Sequence, residues 1–448
     1  MPLISLNDDV LEYIISFVSP SDALRLAKTC RRAYAAAIPQ SHSHIAITTP
    51  QKLARFCNFM LADSPRRPSC LEAITLRDSA FRFSTAGQMC PDYSSTSQLS
   101  EVLRHASALQ SLTLYHLEKV LEIEPSLKDV LAALTRLKNV SFFQSGSQSF
   151  DLLSRLASRP RYLEIGGKGR VLQRAPAGLL APLATSLGIL KLWSSATLLD
   201  TVDRNCRFFR VHTLVINEQR SLSRLAHLFP NVRSLHLLHI GPTSVTWDGL
   251  PQWNLLDHVE IYTAAPFSGH VRRLEIEFGS SLSPVLDDVY RMLRNTSPVV
   301  LCVGLEPTLF LQLPELAPHL KYLQLTDIEA VGAEPEVYVE RSLQNIAQGL
   351  SALPLVGLLL RYATHWEGNR CIGADSLLQL AQEVAARIST LEYVGFDGRN
   401  TYMQQTLPLA YSWFCVGSRA DGSPSMELLS QREGCKTEEH LLALDSAQ

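Results

Sequence analysis

Apolar residues recur along this chain with two different periods. Val10, Leu11, Ile14, Ile15 and Val18 repeat at helical spacing, and Phe17 widens the stripe. Asn7 stands where an N-cap belongs, with Asp8 and Asp9 in the first turn, where carboxylates favour the positive end of the helix dipole. Ser19-Pro20-Ser21-Asp22 has the form of a second helix start, with a hydroxyl cap, proline where no backbone donor is needed and an acid at the third helical position. Ala23, Leu24, Leu26, Ala27 and Cys30 supply the apolar neighbours of that helix. Arg31 to Ala37 reads as a third, short helix ending before Pro39.

The period then changes from helical to alternating. Ile45 and Ile47 read as a short strand, Gln51 to Ala62 as a helix, and Asp63 to Pro68 as a breaker-rich turn. From residue 71 a pattern of apolar-x-x-apolar-x-apolar recurs, centred on Ile74, Leu112, Val140, Leu190, Leu214, Leu235, Val259, Leu274, Leu323, Leu358 and Val394, with weaker copies at Leu163 and Leu301. Most steps lie near a period of roughly 20 to 29 residues. The 15-residue step from Val259 to Leu274 is too short for a full helix and predicts a return by a loop or a 3-10 turn, or a misplaced strand. Between the strands, segments such as 127–137, 151–157, 222–229 and 377–388 carry helical periodicity. One strand with one helix cannot bury its own apolar face, so successive units are expected to stack strands in parallel inside and helices outside, giving an α/β curved solenoid.

The chain thus divides into helices over 1–40, a transition over 41–70, an irregular repeat domain over 71–405, and a C-terminal strand-turn-strand cap and tail over 406–448. Ser84 to Ser100, rich in Ser and Thr, reads as a mobile insertion.

Composition narrows the function classes. A chain of 448 residues with 46% hydrophobic and 19% charged residues is an ordinary folded protein of more than one core. Its formal net charge of -2 leaves no global footprint for nucleic acid or an anionic membrane. The nine cysteines are scattered, odd in number and form no C-x-x-C pair, which points to reduced thiols in the cytoplasm or nucleus. Asp8, Asp9 and Glu12 interrupt any leader-like apolar core, and no apolar run reaches membrane-spanning length.

Catalytic chemistry is present only in fragments. Gly166-Gly167-Lys168-Gly169 lacks the frame of a phosphate loop and reads as a glycine-rich turn after a strand. His42-x-His44 and His236-x-x-His239 have no third ligand at metal-site spacing, and Asp287-Asp288 sits at a helix start. No cofactor or metal is expected.

The first forty residues resemble an F-box, the helical motif by which ubiquitin-ligase receptors dock on the Skp-type adaptor of a cullin-RING (SCF) ligase. The likeness is carried by Leu6, Val10, Leu11, Ile14, Phe17, Val18, Pro20, Asp22, Leu24, Leu26, Ala27, Cys30, Arg31 and Tyr34. Asn7 stands where the family usually has Pro, and Tyr34 where it often has Trp. The resemblance implies that Leu6, Val10, Leu11, Ile14, Phe17, Val18, Pro20, Leu24 and Leu26 bind the adaptor. Residues from about 70 to 400 resemble degenerate leucine-rich repeats, and the layout as a whole is similar to the irregular F-box receptors of fungi. Three helices over about 40 residues seldom fold without a staple or partner, which agrees with a docking module.

Strand alternation turns the residues between and after the apolar positions toward the concave face. Those are Arg77, Tyr115, Phe143, Tyr162, Lys191, Trp193, His236, Tyr262, Tyr322, Arg361 and Tyr393. Aromatic residues and arginine dominate binding hot spots, so this face is the expected target site. The function expected is a non-catalytic substrate receptor of an SCF-type ligase. The alternatives are a leucine-rich-repeat interaction scaffold with no ubiquitin-ligase role, whose N-terminal helices only cap the array, and a β-helix enzyme acting on polysaccharide.

Overall fold

The structure is a computed structural model, described here for residues 6–85, 88–167, 178–194, 196–217, 221–238, 253, 255–262, 264–265, 267, 269–277, 286–304, 306–329, 346–347, 349–363, 373–398, 411–420 and 422–445. The chain forms two compact units, 1–218 and 219–448.

The first unit opens with α1 (Asp8–Ser16), α2 (Pro20–Ala27) and α3 (Arg31–Ser41). The caps expected from the sequence are made: Asn7 accepts from the Asp9 N–H, and Ser19 accepts from the Asp22 N–H. The third helix begins at Cys30, whose Sγ accepts from the Ala33 N–H at 3.5 Å. Leu11, Ile15, Ala23, Ala27 and Ala37 form the core of these helices. Three of these five residues are alanines, which keep the backbones close, so the core is small and larger side chains remain outside.

Helix α3 runs almost directly into β1 (His44–Ile47), and His42 between them stacks on Phe59 of α4 (Pro50–Leu61) at 4.7 Å. After β1 come β2 (Ala73–Leu76), the hairpin β3 (Arg82–Thr85) and β4 (Gln88–Pro91), α5 (Thr96–Arg104) and β5 (Ser111–Leu114). Helices α6 (Leu117–Ile123) and α7 (Ser126–Ala133), strand β6 (Asn139–Ser145), α8 (Ser147–Arg155), β7 (Tyr162–Gly167), β8 (Ile189–Trp193) and β9 (Thr213–Ile216) complete the unit. Strands β1-β2-β5-β6-β7-β8-β9 are neighbours in that order and all pair in parallel. The predicted strand centres stand in one register row, Ile74–Leu112–Val140–Leu163–Leu190–Leu214. Every residue of that row is buried, as is the row two residues on, Leu76–Leu114–Phe142–Ile165–Leu192–Ile216. Side chains alternate along a strand, so each unit contributes the same two positions to a continuous apolar layer. Helices α6 and α8 pack against β6.

Three expectations for this part of the chain change. Helix α3 does not end before Pro39 but runs through it to Ser41, the proline standing in the last turn, where it gives up a single backbone hydrogen bond. The segment 84–100 is largely ordered: its middle forms β4, and its end is the start of α5, whose Thr96, Leu99 and Ser100 are buried beneath polar Ser97 and Gln98. Its Ser and Thr content suited a loop, but Leu99, Val102 and Leu103 provide a helical apolar face that only the neighbouring helices reveal. Gly166 and Gly167 are the last residues of β7, not a turn following it; Lys168 and Gly169 lie outside the described residues.

The second unit holds α9 (Leu222–Leu228), β10 (Ser234–Leu237), β11 (Leu256–Ile261), β12 (Val271–Ile276), α10 (Leu286–Thr296), β13 (Val300–Gly304), α11 (Pro307–Leu316), β14 (Tyr322–Glu329) and β15 (Gly357–Ala363). It ends with α12 (Ala374–Arg387), β16 (Tyr393–Asp397), β17 (Tyr411–Ser418), β18 (Pro424–Leu428) and α13 (Gln431–Leu442). Strands β10 to β16 pair in parallel in chain order, and β17 and β18 continue the sheet antiparallel. Here too the predicted centres share a row, Leu235–Val259–Leu274–Leu301–Leu323–Leu358–Val394. Both strands of the 15-residue step exist, and the described residues between them hold no helix. Trp253, Ala264, Ala265 and Phe267 are buried in this region, and the Trp253 indole donates to the Phe229 carbonyl at 2.9 Å.

The predicted strand-turn-strand at the C-terminus is β17 and β18, and α13 follows on a complete capping box between Ser430 and Glu433. This helix folds back over the strand face opposite the buried rows. Its Leu441 and the following Leu444 join Val299, Val300, Tyr322, Leu359 and Trp413 in one cluster. Arg272 Nη1 donates to the Leu442 carbonyl at 2.6 Å, and Lys321 Nζ donates to the Asp445 carbonyl at 3.1 Å. Gly357 leaves room beneath it: a Cβ there would stand 2.6 Å from Leu441 Cδ1, so that side chain would have to shift.

Candidate functional site

Two surfaces draw together the residues that the sequence singled out. The first is the outside of the three N-terminal helices. Val10, Tyr13, Phe17, Leu24 and Tyr34 are large apolar side chains left exposed there, and Phe17 keeps 74% of its surface. Tyr13 and Phe17 meet edge to face at 5.0 Å, as residues four apart on a helix can. Leu6, Ile14, Val18, Pro20 and Leu26 are half-buried at the margins. Leu11 differs from the expectation: it is 0% exposed and holds the three helices together instead of facing outward. Tyr13 was not among the expected positions, although its spacing of four from Phe17 marks it.

Polar contacts fix the pose of these helices. Arg32 on α3 donates through Nη2 to Asp8 Oδ1 at 2.7 Å and to the Leu6 carbonyl at 2.6 Å, tying the third helix to the start of the first. Gln40 Nε2 donates to the Val18 carbonyl at 3.1 Å, closing the other end.

The second surface is the strand face opposite the buried rows. In the first unit the residue after the last core position of successive strands forms a ledge: Arg77, Tyr115, Phe143, Gly166 and Trp193. Tyr115 stacks on Phe143 with ring centroids 4.3 Å apart. Three of the aromatic residues are followed by a left-handed residue, His116 at φ 56°, Gln144 at φ 54° and Ser194 at φ 52°. Each such non-glycine conformation costs on the order of 1 to 3 kcal/mol, and the repetition sets the aromatic side chains in one line.

Beside the ledge lies Glu164. Its Oε1 accepts from the Trp193 indole at 2.7 Å, and its Oε2 accepts from the Tyr162 hydroxyl at 2.8 Å and from Ser141 Oγ at 3.1 Å. Burial and the Glu164 carboxylate together push the Tyr162 hydroxyl well above the ordinary tyrosine range, so it remains a donor. Lys191 stands over the Tyr162 ring, with Nζ 5.5 Å from the centroid.

In the second unit the same face is largely occupied. Tyr322, an expected target-binding residue, is 0% exposed beneath α13. Arg361 is engaged by Asp397 at 3.4 Å and by Glu438 of α13 at 3.2 Å, and Tyr393 packs against the same cluster. Tyr262 is half-buried. The sequence contained the signal for this in Leu441 and Leu444, but not the destination of the helix. Further along, His236 contacts Glu260, and His258 Nε2 lies 3.0 Å from Glu275 Oε1. Burial would raise the Glu275 carboxyl, yet His258 and Arg273 outweigh it and bring it down to about 2. These histidines are consumed by carboxylate pairs; His239 lies outside the described residues. Among the described residues no cluster of three or more His, Cys, Asp or Glu side chains could hold a metal ion, and no helix is long and apolar enough to cross a membrane.

A three-helix module joined to α/β units with parallel sheets is thus the class of protein that the fold defines. The F-box domain family matches residues 3–38, and the chain carries an F-box domain there. F-box domains are adaptor-binding modules typical of the substrate receptors of SCF ubiquitin ligases. No curated protein matches the chain.

Proposed function

We propose that the chain is a substrate-recognition subunit of an SCF-type cullin-RING ubiquitin ligase. The exposed Val10, Tyr13, Phe17, Leu24 and Tyr34, with the half-buried Leu6, Ile14, Val18, Pro20 and Leu26 around them, dock the Skp-type adaptor. The strand-and-connection units after them act as degenerate leucine-rich repeats, and the ledge face of the first unit holds a target protein. The receptor performs no bond chemistry. Its contribution is proximity, which raises the effective concentration of target lysines near a ubiquitin thioester carried by another subunit.

The observation that carries this reading is the F-box match over helices that leave Phe17 and its neighbours uncovered. An exposed apolar patch of this kind marks an interaction site. A scaffold with a helical cap would have no use for Phe17 in solvent.

Co-purification of the full chain with a Skp-type adaptor tests the proposal. The wild-type chain retains the adaptor, whereas Val10→Asp/Phe17→Asp loses it with an unchanged thermal unfolding curve. Equal adaptor recovery from both proteins would refute adaptor docking by this face.

A further inference from the structure

The geometry points to a specific kind of occupant for the ledge: an extended acidic peptide segment of a target, with apolar side chains at its centre and carboxylates toward both ends. This deepens the receptor reading and rests on it for treating the occupant as part of a target protein.

The charge balance of the face argues for it. Among the described strand residues of the first unit that point away from the buried rows, Glu164 is the single carboxylate, and both its oxygens are already taken by three donors. Asp78, which follows Arg77, is likewise engaged, by His116 at 2.6 Å, Gln144 at 3.3 Å and Arg82 at 3.6 Å. A satisfied carboxylate of this kind has little left to offer an incoming cation. The cations are in the opposite condition. Arg77 is exposed at one end of the ledge, and Lys191, two residues before Trp193 at the other end and in the row of Glu164, has its ammonium over a tyrosine ring. Between them the stacked pair Tyr115 and Phe143 offers an apolar platform held in one orientation.

The spacing sets the length of the segment. Arg77 follows β2 and Lys191 lies in β8, four strand steps away through β5, β6 and β7. At about 4.8 Å per step this is roughly 19 Å, the span of about six extended residues. A chain crossing the strands obliquely, from the row of Arg77, Tyr115 and Phe143 to the row of Lys191 one same-face position back, places acids against Arg77 and Lys191 and apolar side chains on Tyr115 and Phe143. The fixed aromatic ledge lowers the ordering cost of binding, because its rings are already immobilised by stacking and by the left-handed residues behind them.

The test uses the full chain and two fluorescein-labelled hexapeptides, EDFLDE and KRFLRK, with binding read by fluorescence anisotropy at low and high salt. The acidic peptide binds more tightly by about tenfold or more, and the preference shrinks as salt screens the charges. Arg77→Glu/Lys191→Gln removes the preference; Lys191 is half-buried and pairs in register with Glu164, so it is neutralised and not reversed, and the melting curve of the variant confirms that it is folded. Phe143→Ala weakens the acidic peptide while its preference over the basic one survives. Equal binding of the two peptides by the wild-type chain, or indifference to the double substitution, overturns the proposal. Adaptor co-purification is read separately: its loss in the wild-type chain would remove the ubiquitin-ligase role and leave the peptide result standing.

Discussion

The ring of Phe143 occupies the place where a side chain on residue 166 would begin: a Cβ on Gly166 would stand 2.8 Å from Phe143 Cδ1. The bare backbone of one strand is therefore the seat of an aromatic ring from the strand before it, and that ring in turn carries Tyr115 at 4.3 Å. Gly166→Ala forces the ring out of its seat. Overpacking of this kind costs about 1 to 3 kcal/mol. The expected outcome is a lowered melting temperature with a loss of hexapeptide affinity comparable to that of Phe143→Ala; a variant with unchanged affinity would detach the ledge from binding.

Leu11 and Phe17 separate stability from docking within one helix. Leu11→Ala opens a cavity in a core of five small and medium side chains and is expected to cost about 2 to 5 kcal/mol, unfolding the N-terminal helices. Phe17→Ala removes an exposed side chain and leaves helicity unchanged while adaptor recovery falls. Circular dichroism melts of the two variants alongside adaptor pull-down distinguish them, and equal unfolding by both would contradict the assignment.

Glu118 on α6 acts as the N-terminal cap of α8. Its carboxylate accepts from the backbone N–H groups of Gln148 at 2.9 Å and Ser149 at 3.0 Å and from the hydroxyls of Ser147 and Ser149. Burial raises its pKa, but these four hydrogen bonds outweigh that and hold it below the ordinary glutamate range. A depressed folded value means that the stabilisation is fully present above the unfolded pKa and is lost as pH falls through the folded one. Wild-type stability should thus decline below about pH 4.5 in part through this group, and Glu118→Gln should flatten that portion of the curve. At neutral pH Glu118→Ala leaves buried donors unpaired, at a cost on the order of 1 to 3 kcal/mol. Urea titrations of the two proteins from pH 3 to pH 7 would show it.

Cysteine chemistry should be sharply graded. Cys30 is exposed, and the backbone N–H of Ala33 beside its sulfur holds its thiol below the ordinary cysteine range. Burial pushes Cys57 and Cys302 up to about 12. Brief alkylation of the native protein near pH 8, read by peptide mass spectrometry, is expected to label Cys30 early and leave Cys57 and Cys302 unmodified until the protein is denatured. Prompt labelling of Cys302 would mean that the strand face above it opens readily.

The C-terminal helix is expected to be structural. Leu441 is fully buried over Gly357, and Leu441→Ala should destabilise the second unit by about 2 to 5 kcal/mol. Deleting residues 431–448 uncovers Tyr322 and Trp413, so intrinsic fluorescence and dye binding should change while hexapeptide affinity, carried by the first unit, remains. Loss of peptide affinity on deletion would show that the ledge is not the binding surface.

Periodicity carried much of this architecture. The three N-terminal helices, their Asn7 and Ser19 caps and the thirteen strand centres were legible because each depends on neighbours a few residues away: a side-chain oxygen reaching a backbone N–H two or three positions on, or alternation within a strand. The ledge residues Arg77, Tyr115, Phe143 and Trp193 followed from the same alternation. What tertiary structure decided were matters of contact between segments distant in the chain. Leu11 and Phe17 lie on one apolar stripe, and only the close approach of α2 and α3 puts the first inside and the second outside. Tyr322 and Arg361 belong to the same strand pattern as Tyr115 and Arg77, yet a helix more than 70 residues further on covers them, because Gly357 and Tyr322 leave a seat that Leu441 fills. Local pattern sets which way a side chain points; what meets it there is settled by packing, and packing has no period to read.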